Sequence, residues 1–421
     1  MNSRERILAA LNHRATDRVP LDLGSNSQTG MQVSTVYRLR QALKLDPPGT
    51  PVKVINVSAM LGEIKSDLLA AVGGDAVGLS LPYTTYGYPS GDWKEWTTFD
   101  GTPVLVPGEF NTELDEKGDL LQYPHGDRSA PASGRMPHGG FYFDGIVRQD
   151  PIDDDDDLDP LDNTEEFGLV SDADLAWLGR EMKTLYEGTD KAIVLKLPGT
   201  GFGDVASVPG PTLRHPKGIR DIEEWYMSLA MRPDYIAAVF ERQCDIAIEN
   251  LGRIFAAVGN LPTVVWVSGA DFGAQNGPLI SPRQYRELFK PVQKRINDWI
   301  HEHTTWKTFI HSCGSILPLI PDMIEAGWDI LNPVQTSAAN MDPRELKARF
   351  GDRVTFWGGG VDTQHTLPTA TPDAIRAEVK RNLDVFAPGG GYVFNPIHNV
   401  QHGVPVENLL AMYETVRDYR P

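Results

Sequence analysis

The stretch KTFIHSC (307–313) decides the fold, because it is one of a series of short apolar runs that recur along the chain. Runs of this length are typical of strands that are buried on both faces of a parallel sheet. The other runs are RVPLDLG (18–24), DAVGLSL (75–81), AIVLKLP (192–198), TVVWVSG (263–269), DILNPV (329–334), VTFWGGG (354–360) and YVFNPI (392–397). The sequence therefore predicts eight buried strands.

Helical patterns separate most of these strands. Residues 233–259 place apolar side chains at three- and four-residue steps, and residues 405–419 form a last helical segment. The segments 281–303 and 371–391 each begin with Ser or Thr followed by Pro, which favours a helix start. Strands joined by helical crossovers predict an α/β fold, a (β/α)8 TIM barrel. A doubly wound open sheet is the structural alternative, but the chain lacks its glycine-rich phosphate loop between strand and helix.

One region interrupts the alternation, between strands 2 and 3. Residues 83–165 are rich in Gly, Pro and Asp. Asp100-Gly101 predicts a hairpin, a second ribbon is expected around Lys117-Gly118, and IDDDDDLDPLD (152–162) is expected to be a solvated acidic loop. We expect one barrel domain over residues 1–421, in which this irregular β-ribbon and loop insertion covers the barrel mouth.

The charge of the chain excludes several kinds of partner. The net charge is −18, so nucleic acid and anionic membrane surfaces would repel the protein. No apolar run is long enough to span a membrane, and the first residues form a charged amphipathic helix rather than a signal peptide. Two cysteines do not make a disulfide framework. We expect a cytoplasmic protein that binds neither nucleic acid nor membrane.

Two metal-binding residue types meet at the end of predicted strand five. His311 and Cys313 are two positions apart and therefore face the same side of the strand, at the end where barrel enzymes hold their active sites. Such a pair is also compatible with simple packing, since a buried Cys behaves as a small apolar residue. His398 directly follows strand eight and is the candidate third ligand. Two imidazoles, one thiolate and an open position would describe a catalytic zinc site.

Polar residues follow the neighbouring strands. Asp271 and Gln275 lie on a glycine-rich loop after strand four, and Asp271 either accepts a proton, orients a ligand histidine, or simply caps a turn. Asn332 and Gln335, after strand six, and Asp362, after strand seven, are candidate substrate-binding residues.

The chain resembles the uroporphyrinogen decarboxylase superfamily, and within it the methyltransferase branch that works with corrinoid proteins. The motifs that carry the resemblance are RERILAALNHRATDRVP, SGADFGAQNGPLISP, HSCG with LIPDMIEAGWDILNPVQ, GDRVTFWGGGVDTQ and GGGYVFNPIHNVQHGVPVENLLAMYE. The resemblance implies a barrel whose zinc is held by a His-x-Cys pair and a later Cys. His311 and Cys313 match the pair, whereas His398 stands where the later Cys would be.

The resemblance implies a zinc-dependent methyltransferase. It would move a methyl group between a small methoxy or methyl compound, or a thiol, and a corrinoid (cobalamin) carried by a partner protein. The alternative is a metal-independent decarboxylase or lyase of the uroporphyrinogen decarboxylase type, in which Asp271 stabilises a protonated intermediate. A third, non-enzymatic alternative is a binding or regulatory barrel. The superfamily also suggests a homodimer.

Overall fold

The computed structural model describes residues 1–152 and 158–420. Residues 153–157, which belong to the predicted acidic loop, lie outside the described residues. The strands are β1 (Val52–Asn56), β2 (Leu61–Gly62), β3 (Ala76–Leu79), β4 (Lys94–Thr97), β5 (Pro103–Val106), β6 (Leu120–Gln122), β7 (Gly134–Met136), β8 (Asp144–Gly145), β9 (Ala192–Lys196), β10 (Val264–Ser268), β11 (Lys307–His311), β12 (Ile330–Asn332), β13 (Thr355–Trp357) and β14 (Tyr392–Val393).

The helices lie mainly between these strands. They are α1 (Ser3–Leu11), α2 (Val33–Ala42), α3 (Ser66–Val72), α4 (Asp172–Gly188), α5 (Ile222–Met231), α6 (Pro233–Val258), α7 (Pro282–Gln284), α8 (Lys290–His303), α9 (Ile320–Glu325), α10 (Pro343–Phe350), α11 (Thr366–Thr369), α12 (Pro372–Phe386) and α13 (Val406–Asp418). In the described part of the chain, no helix has both the length and the apolar character that a membrane crossing requires.

A parallel sheet forms the barrel wall, in the order β14-β13-β12-β11-β10-β9-β3. Residues 20–22 close the ring between its two edge strands. Leu21 accepts a hydrogen bond from the Asp75 amide at 2.7 Å, and the Asp22 amide donates to the carbonyl of Phe394 at 2.9 Å. The predicted first strand is thus a single bridge, between Leu21 and Phe394, because Pro20 has no N–H to extend the ladder. The (β/α)8 barrel prediction is confirmed.

Apolar side chains fill the barrel, and α1 closes its floor. The inward-facing residues of the strands form one buried cluster with three side chains of α1, and its members are Ile7, Ala10, Leu11, Ala76, Ala192, Val194, Val264, Trp266, Phe309, Ile330, Trp357 and Val393. Asn2 caps α1 in a capping box with Glu5, which fixes the start of the helix. The mouth at the opposite end of the barrel is left for polar residues.

A buried ion cluster ties the floor to the wall. The carboxylate of Asp75, fully buried just before β3, lies 2.7 Å from Arg6 of α1 and 2.7 Å from Arg18. It also accepts the amide N–H of Leu21 at 3.0 Å. Burying a carboxylate is unfavourable unless it is paired and hydrogen-bonded, and both conditions are met here. Asp75 therefore links α1, the closing segment and β3.

The insertion is built from small sheets. The hairpin predicted at Asp100-Gly101 is confirmed, because β4 and β5 pair antiparallel and Gly101 has a φ of +83°. The turn at Lys117-Gly118 also forms, but β6 then pairs with β7 and not with the residues before the turn, apart from one bridge from Leu114 to Leu120. Strand β1 was not predicted from the sequence; it lies between β5 and β2 in a mixed sheet.

The insertion contacts loops that follow the barrel strands. The ring of Phe141 stacks on His402, past β14, with centroids 3.5 Å apart. Arg148 donates to the carbonyls of Leu213 and Gly210, in the loop after β9, at 2.6 Å each. The insertion therefore lies against the same end of the barrel at which the strands terminate.

The helix predicted at 281–303 has one irregular turn. Ser281 caps its start as expected, but Tyr285–Phe289 forms a π-helical turn between α7 and α8. Pro291 in the first turn of α8 lacks an N–H and its ring crowds the preceding turn, which a wider turn relieves. The helices predicted at 233–259, 371–391 and 405–419 correspond to α6, α12 and α13.

Candidate metal centre

Two imidazoles and one thiol converge where β11 and β14 end. His311, the last residue of β11, follows Phe309 on the inward face of the barrel, and Cys313 lies two residues further. His398 arrives from the loop after β14. One ligand atom from each of the three residues lies within 4.8 Å of the other two. The sequence thus placed the three residues at one end of the barrel, and the structure brings them together.

Hydrogen bonds orient both imidazoles toward the thiol. Nδ1 of His311 donates to Oδ1 of Asn332 at 2.6 Å, so its Nε2 carries the free lone pair, 3.2 Å from Sγ of Cys313. Nδ1 of His398 likewise donates to Oδ1 of Asn399 at 2.9 Å, which leaves its Nε2 free. With bonds of about 2.0 and 2.3 Å, nitrogen and sulfur ligands on one tetrahedral zinc stand about 3.5 Å apart. The donor set therefore fits zinc.

Burial keeps these groups uncharged at neutral pH. Desolvation lowers the pKa of His311 to about 4, and desolvation also lowers the pKa of His398. Both rings are thus neutral, which is the form that binds metal. Desolvation, assisted by the nearby Asp271 carboxylate, raises the pKa of the Cys313 thiol. A thiolate at this position therefore needs a cation beside it.

Asp271 adjoins the three residues. Its Oδ1 accepts the amide N–H of Cys313 at 2.7 Å and lies 3.8 Å from Nε2 of His311. Tyr226 of α5 donates its hydroxyl to the Asp271 carbonyl at 2.9 Å, and desolvation raises the pKa of that phenol to about 12. Asp271 therefore fixes the backbone at Cys313 and keeps a carboxylate beside the candidate ligands.

Asn332 and Gln335 are held by internal hydrogen bonds. Besides accepting from His311, the amide of Asn332 donates to the Trp357 carbonyl at 2.7 Å. The oxygen of Gln335 accepts the Gly314 amide N–H at 2.7 Å. Both groups of the Asn332 side chain are thus engaged, so its contacts favour orienting His311 over binding a substrate. A role of Gln335 in substrate binding stays a prediction.

The other two predicted substrate-binding residues differ in their surroundings. Gln275 accepts from Gln335 at 3.0 Å and donates to the Ser337 carbonyl at 2.6 Å, so it bridges the loops after β10 and β12. Asp362 instead lies 3.0 Å from Nδ1 of His365, and no contact among the described residues joins it to the three candidate ligands. Its role in binding a substrate also stays a prediction.

Gly314, next to Cys313, allows a close approach of two backbones. Its φ is +84°, and a Cβ there would lie 2.3 Å from the carbonyl carbon of Gly273. Gly314→Ala is expected to lower the free energy of unfolding by about 2–4 kcal/mol, because left-handed backbone and overlap both oppose a side chain. Urea denaturation measures the change. Gly277→Ala is the control, since a Cβ at that position meets nothing within 4 Å; an equal loss in both variants would contradict the explanation.

The sequence reading missed two charged residues at the mouth. Lys196 ends β9, and its Nζ lies 5.1 Å above the ring of Trp266. Asp204 follows on a glycine-rich loop, and desolvation raises the pKa of its carboxyl to about 6. The alternation of side chains along β9 could have revealed Lys196, because it faces the same side of the strand as Ala192 and Val194, which point into the barrel. We call the space bounded by Lys196, Asp204, Asp271, His311 and His398 the recess.

The barrel and the site define the class of protein, an α/β-barrel enzyme with its polar residues at the carboxyl ends of the strands. Residues 213–419 match the uroporphyrinogen decarboxylase (URO-D) family. Residues 213–419 therefore belong to the uroporphyrinogen decarboxylase superfamily. The matched segment contains β10 to β14 and therefore all three candidate ligands.

Curated relatives agree with this assignment. A uroporphyrinogen decarboxylase of Trichlorobacter lovleyi is 25% identical over 241 residues, which cover 54% of this chain and 62% of that protein. One from Azoarcus sp. is 34% identical over 197 residues, covering 45% of this chain and 49% of the relative. The chain thus aligns with less than two thirds of the length of these relatives.

A solved structure shares the fold over the whole chain. A methyltransferase from Methanosarcina mazei superposes with a TM-score of 0.54 and 17% sequence identity, covering 99% of both chains. At this identity the likeness shows the common fold.

Proposed function

We propose that the protein is a zinc-dependent methyltransferase. It would move a methyl group between a small methoxy or methyl compound, or a thiol, and a corrinoid carried by a partner protein in the cytoplasm. The observation that carries the proposal is the convergence of His311, Cys313 and His398, whose ligand atoms lie within 4.8 Å of one another although β11 and β14 are far apart in sequence. The methyltransferase with the same fold supports the proposal at the level of architecture.

Each residue of the recess would have a separate role in the proposed reaction. Bound zinc would supply Lewis acidity toward a substrate heteroatom, and the partner's corrinoid would supply the centre that gives or takes the methyl group. His311, Cys313 and His398 would hold the ion, while Asn332 keeps Nε2 of His311 pointing inward. Asp271, 3.8 Å from that nitrogen, would accept or return a proton at the substrate heteroatom.

The donor set favours a methoxy compound over a thiol as the substrate. A site with one thiolate and two neutral imidazoles leaves more positive charge on the ion than a site with two thiolates. Greater positive charge assists departure of an oxygen from a methyl group. It assists less in keeping a bound thiol nucleophilic.

The second candidate function is that of a decarboxylase or lyase. The curated relatives bear the name uroporphyrinogen decarboxylase, and Asp271 could stabilise a protonated intermediate without a metal. A tetrapyrrole with several carboxylates needs a strongly basic pocket, whereas Lys196 is the one cation that the described side chains place in the recess. Because one cation cannot neutralise several carboxylates, the lyase is the second candidate.

Metal content and chelation separate the two candidates. The purified protein is expected to contain about one zinc per chain, measured by inductively coupled plasma mass spectrometry. It is expected to demethylate 4-methoxybenzoate with free cob(I)alamin as acceptor, to lose this activity on chelation, and to regain it with added zinc. Protein that contains no zinc and decarboxylates a substrate in the presence of chelator would support the lyase instead.

A further inference from the structure

Lys196 carries a positive charge at the mouth that no nearby side chain neutralises directly. It faces the recess, continuing the inward row of β9, and its side chain keeps accessible surface although the four strand residues before it are buried. Among the residues that the structure describes, no carboxylate oxygen lies within 4.0 Å of its Nζ, and its stated contact is with the face of Trp266. Desolvation lowers the pKa of Lys196, with the charge of Asp204 acting in the opposite direction. Lys196 is therefore a solvent-accessible ammonium at the mouth of the barrel, and a ligand anion can reach it.

Asp204 is held close to the same ring by a glycine. A Cβ at position 269 would lie 2.9 Å from Oδ2 of Asp204 and 2.7 Å from the ring of Trp266, so only glycine leaves room for both. Oδ1 of Asp204 accepts the amide N–H of Ala206 at 3.0 Å, which fixes the carboxyl on its loop. Lys196 and Asp204 therefore both lie near Trp266, in the same part of the recess.

We propose that Lys196 and Asp204 form a subsite for a carboxylate of the ligand, so that the protein acts on methyl compounds that carry an acid group. Lys196 supplies the countercharge. Asp204, in its protonated form, donates a hydrogen bond to the same carboxylate. The presence of an anion subsite follows from these contacts, and its assignment to the methyl-bearing substrate rests on the proposed function.

The charges around Asp204 explain how an anion can enter. The charge of Lys196 on β9 lowers the pKa of Asp204, and the charge of Asp271 in the loop after β10 raises it. The charge of Asp204 in turn raises the pKa of Tyr226 on α5. With a pKa of about 6, Asp204 is mostly ionised at pH 7 but takes up a proton readily. A bound carboxylate beside it raises that pKa further, and the two acid groups then share the proton. Binding is therefore expected to consume a proton and to weaken as the pH rises above 7.

The geometry sets the length of the ligand. Lys196 and His311 lie on β9 and β11, with β10 between them. Neighbouring strands are about 4.8 Å apart, so the two backbones are roughly 10 Å apart across the barrel wall. Both side chains project into the recess and shorten this gap. A single aromatic ring with a carboxylate at one end and a methoxy group at the other is of suitable size.

Paired probes test the subsite in the full-length protein by isothermal titration calorimetry. 4-Methoxybenzoate and benzoate are expected to bind, and neutral 4-methoxybenzamide to bind at least about tenfold more weakly, as loss of one charge-assisted hydrogen bond predicts. Lys196→Met should abolish this preference and Lys196→Arg should retain part of it. Lys183→Met, which removes an exposed lysine of α4, is the matched control and should behave like the wild type.

Asp204→Asn provides an independent readout. This variant removes the negative charge and keeps an N–H donor, so it should bind 4-methoxybenzoate several-fold more tightly than the wild type at pH 8 and lose the pH dependence. Equal affinity of the wild type for acid and amide, no binding of any probe at millimolar concentration, or an unchanged acid preference in Lys196→Met would each overturn the subsite. Zinc content is measured on the same samples: an acid preference without zinc would leave the subsite standing and refute the proposed function.

Discussion

His311→Ala is expected to leave the purified protein without zinc and to lower methyl-transfer activity by about 1,000-fold or more. Residues that only orient a metal ligand cost about 10–100-fold when removed, so removal of a direct ligand costs more. His311 is also the residue through which Asn332 and Cys313 are connected, at 2.6 and 3.2 Å. Metal analysis and turnover with 4-methoxybenzoate and cob(I)alamin measure both effects.

Two further variants show whether the loss reflects ligation. His301→Ala removes a surface histidine of α8 that pairs with Asp329, and it should keep zinc and activity. His398→Cys replaces one zinc ligand by another and should keep about one zinc per chain, whereas His398→Ala should not. Zinc retained in His311→Ala, or lost equally in His398→Cys and His398→Ala, would refute the proposed ligand set.

Asp75→Asn is expected to destabilise the fold by about 3–5 kcal/mol, because it leaves the guanidinium groups of Arg6 and Arg18 without their buried countercharge. The loss is large since the same carboxylate also accepts the Leu21 amide N–H of the closing segment. The free energy of unfolding in urea, or the melting temperature where unfolding is irreversible, measures it.

A surface carboxylate gives the comparison for this variant. Asp172→Asn removes the partner of Arg253 at 2.6 Å, but the Asp172 side chain is 96% exposed. Exposed pairs contribute less than about 1 kcal/mol. Losses of similar size in Asp75→Asn and Asp172→Asn would show that the floor of the barrel does not depend on the buried cluster.

The barrel was predictable because its signals are local. Each buried strand is an apolar run, and the helix starts at Ser281 and Thr371 are defined by side-chain caps that the structure contains. The insertion was harder, since β1 pairs in parallel with β5 about fifty residues later. Such a pairing depends on packing between distant segments, which periodicity does not report.

The convergence of the three candidate ligands was predictable from the sequence, and the residues around them were not. His311 and Cys313 face one way because strand residues alternate, and His398 follows a strand that ends at the same rim. Asn332 was expected to bind substrate, yet its orientation toward His311 depends on the pairing of β11 with β12. Asp204 was missed because its approach to Trp266 depends on the absence of a side chain at Gly269.

The closing segment has a consequence for how the protein is made. Asn395 donates to the Asp22 carbonyl across 373 positions of sequence, so the ring cannot close until residue 395 has left the ribosome. At about 5–20 residues per second, residues 20–22 wait roughly 20–75 s before β14 has been synthesised. Until then the edge strands of the nascent sheet have no partner, and unpaired edges of this kind favour aggregation.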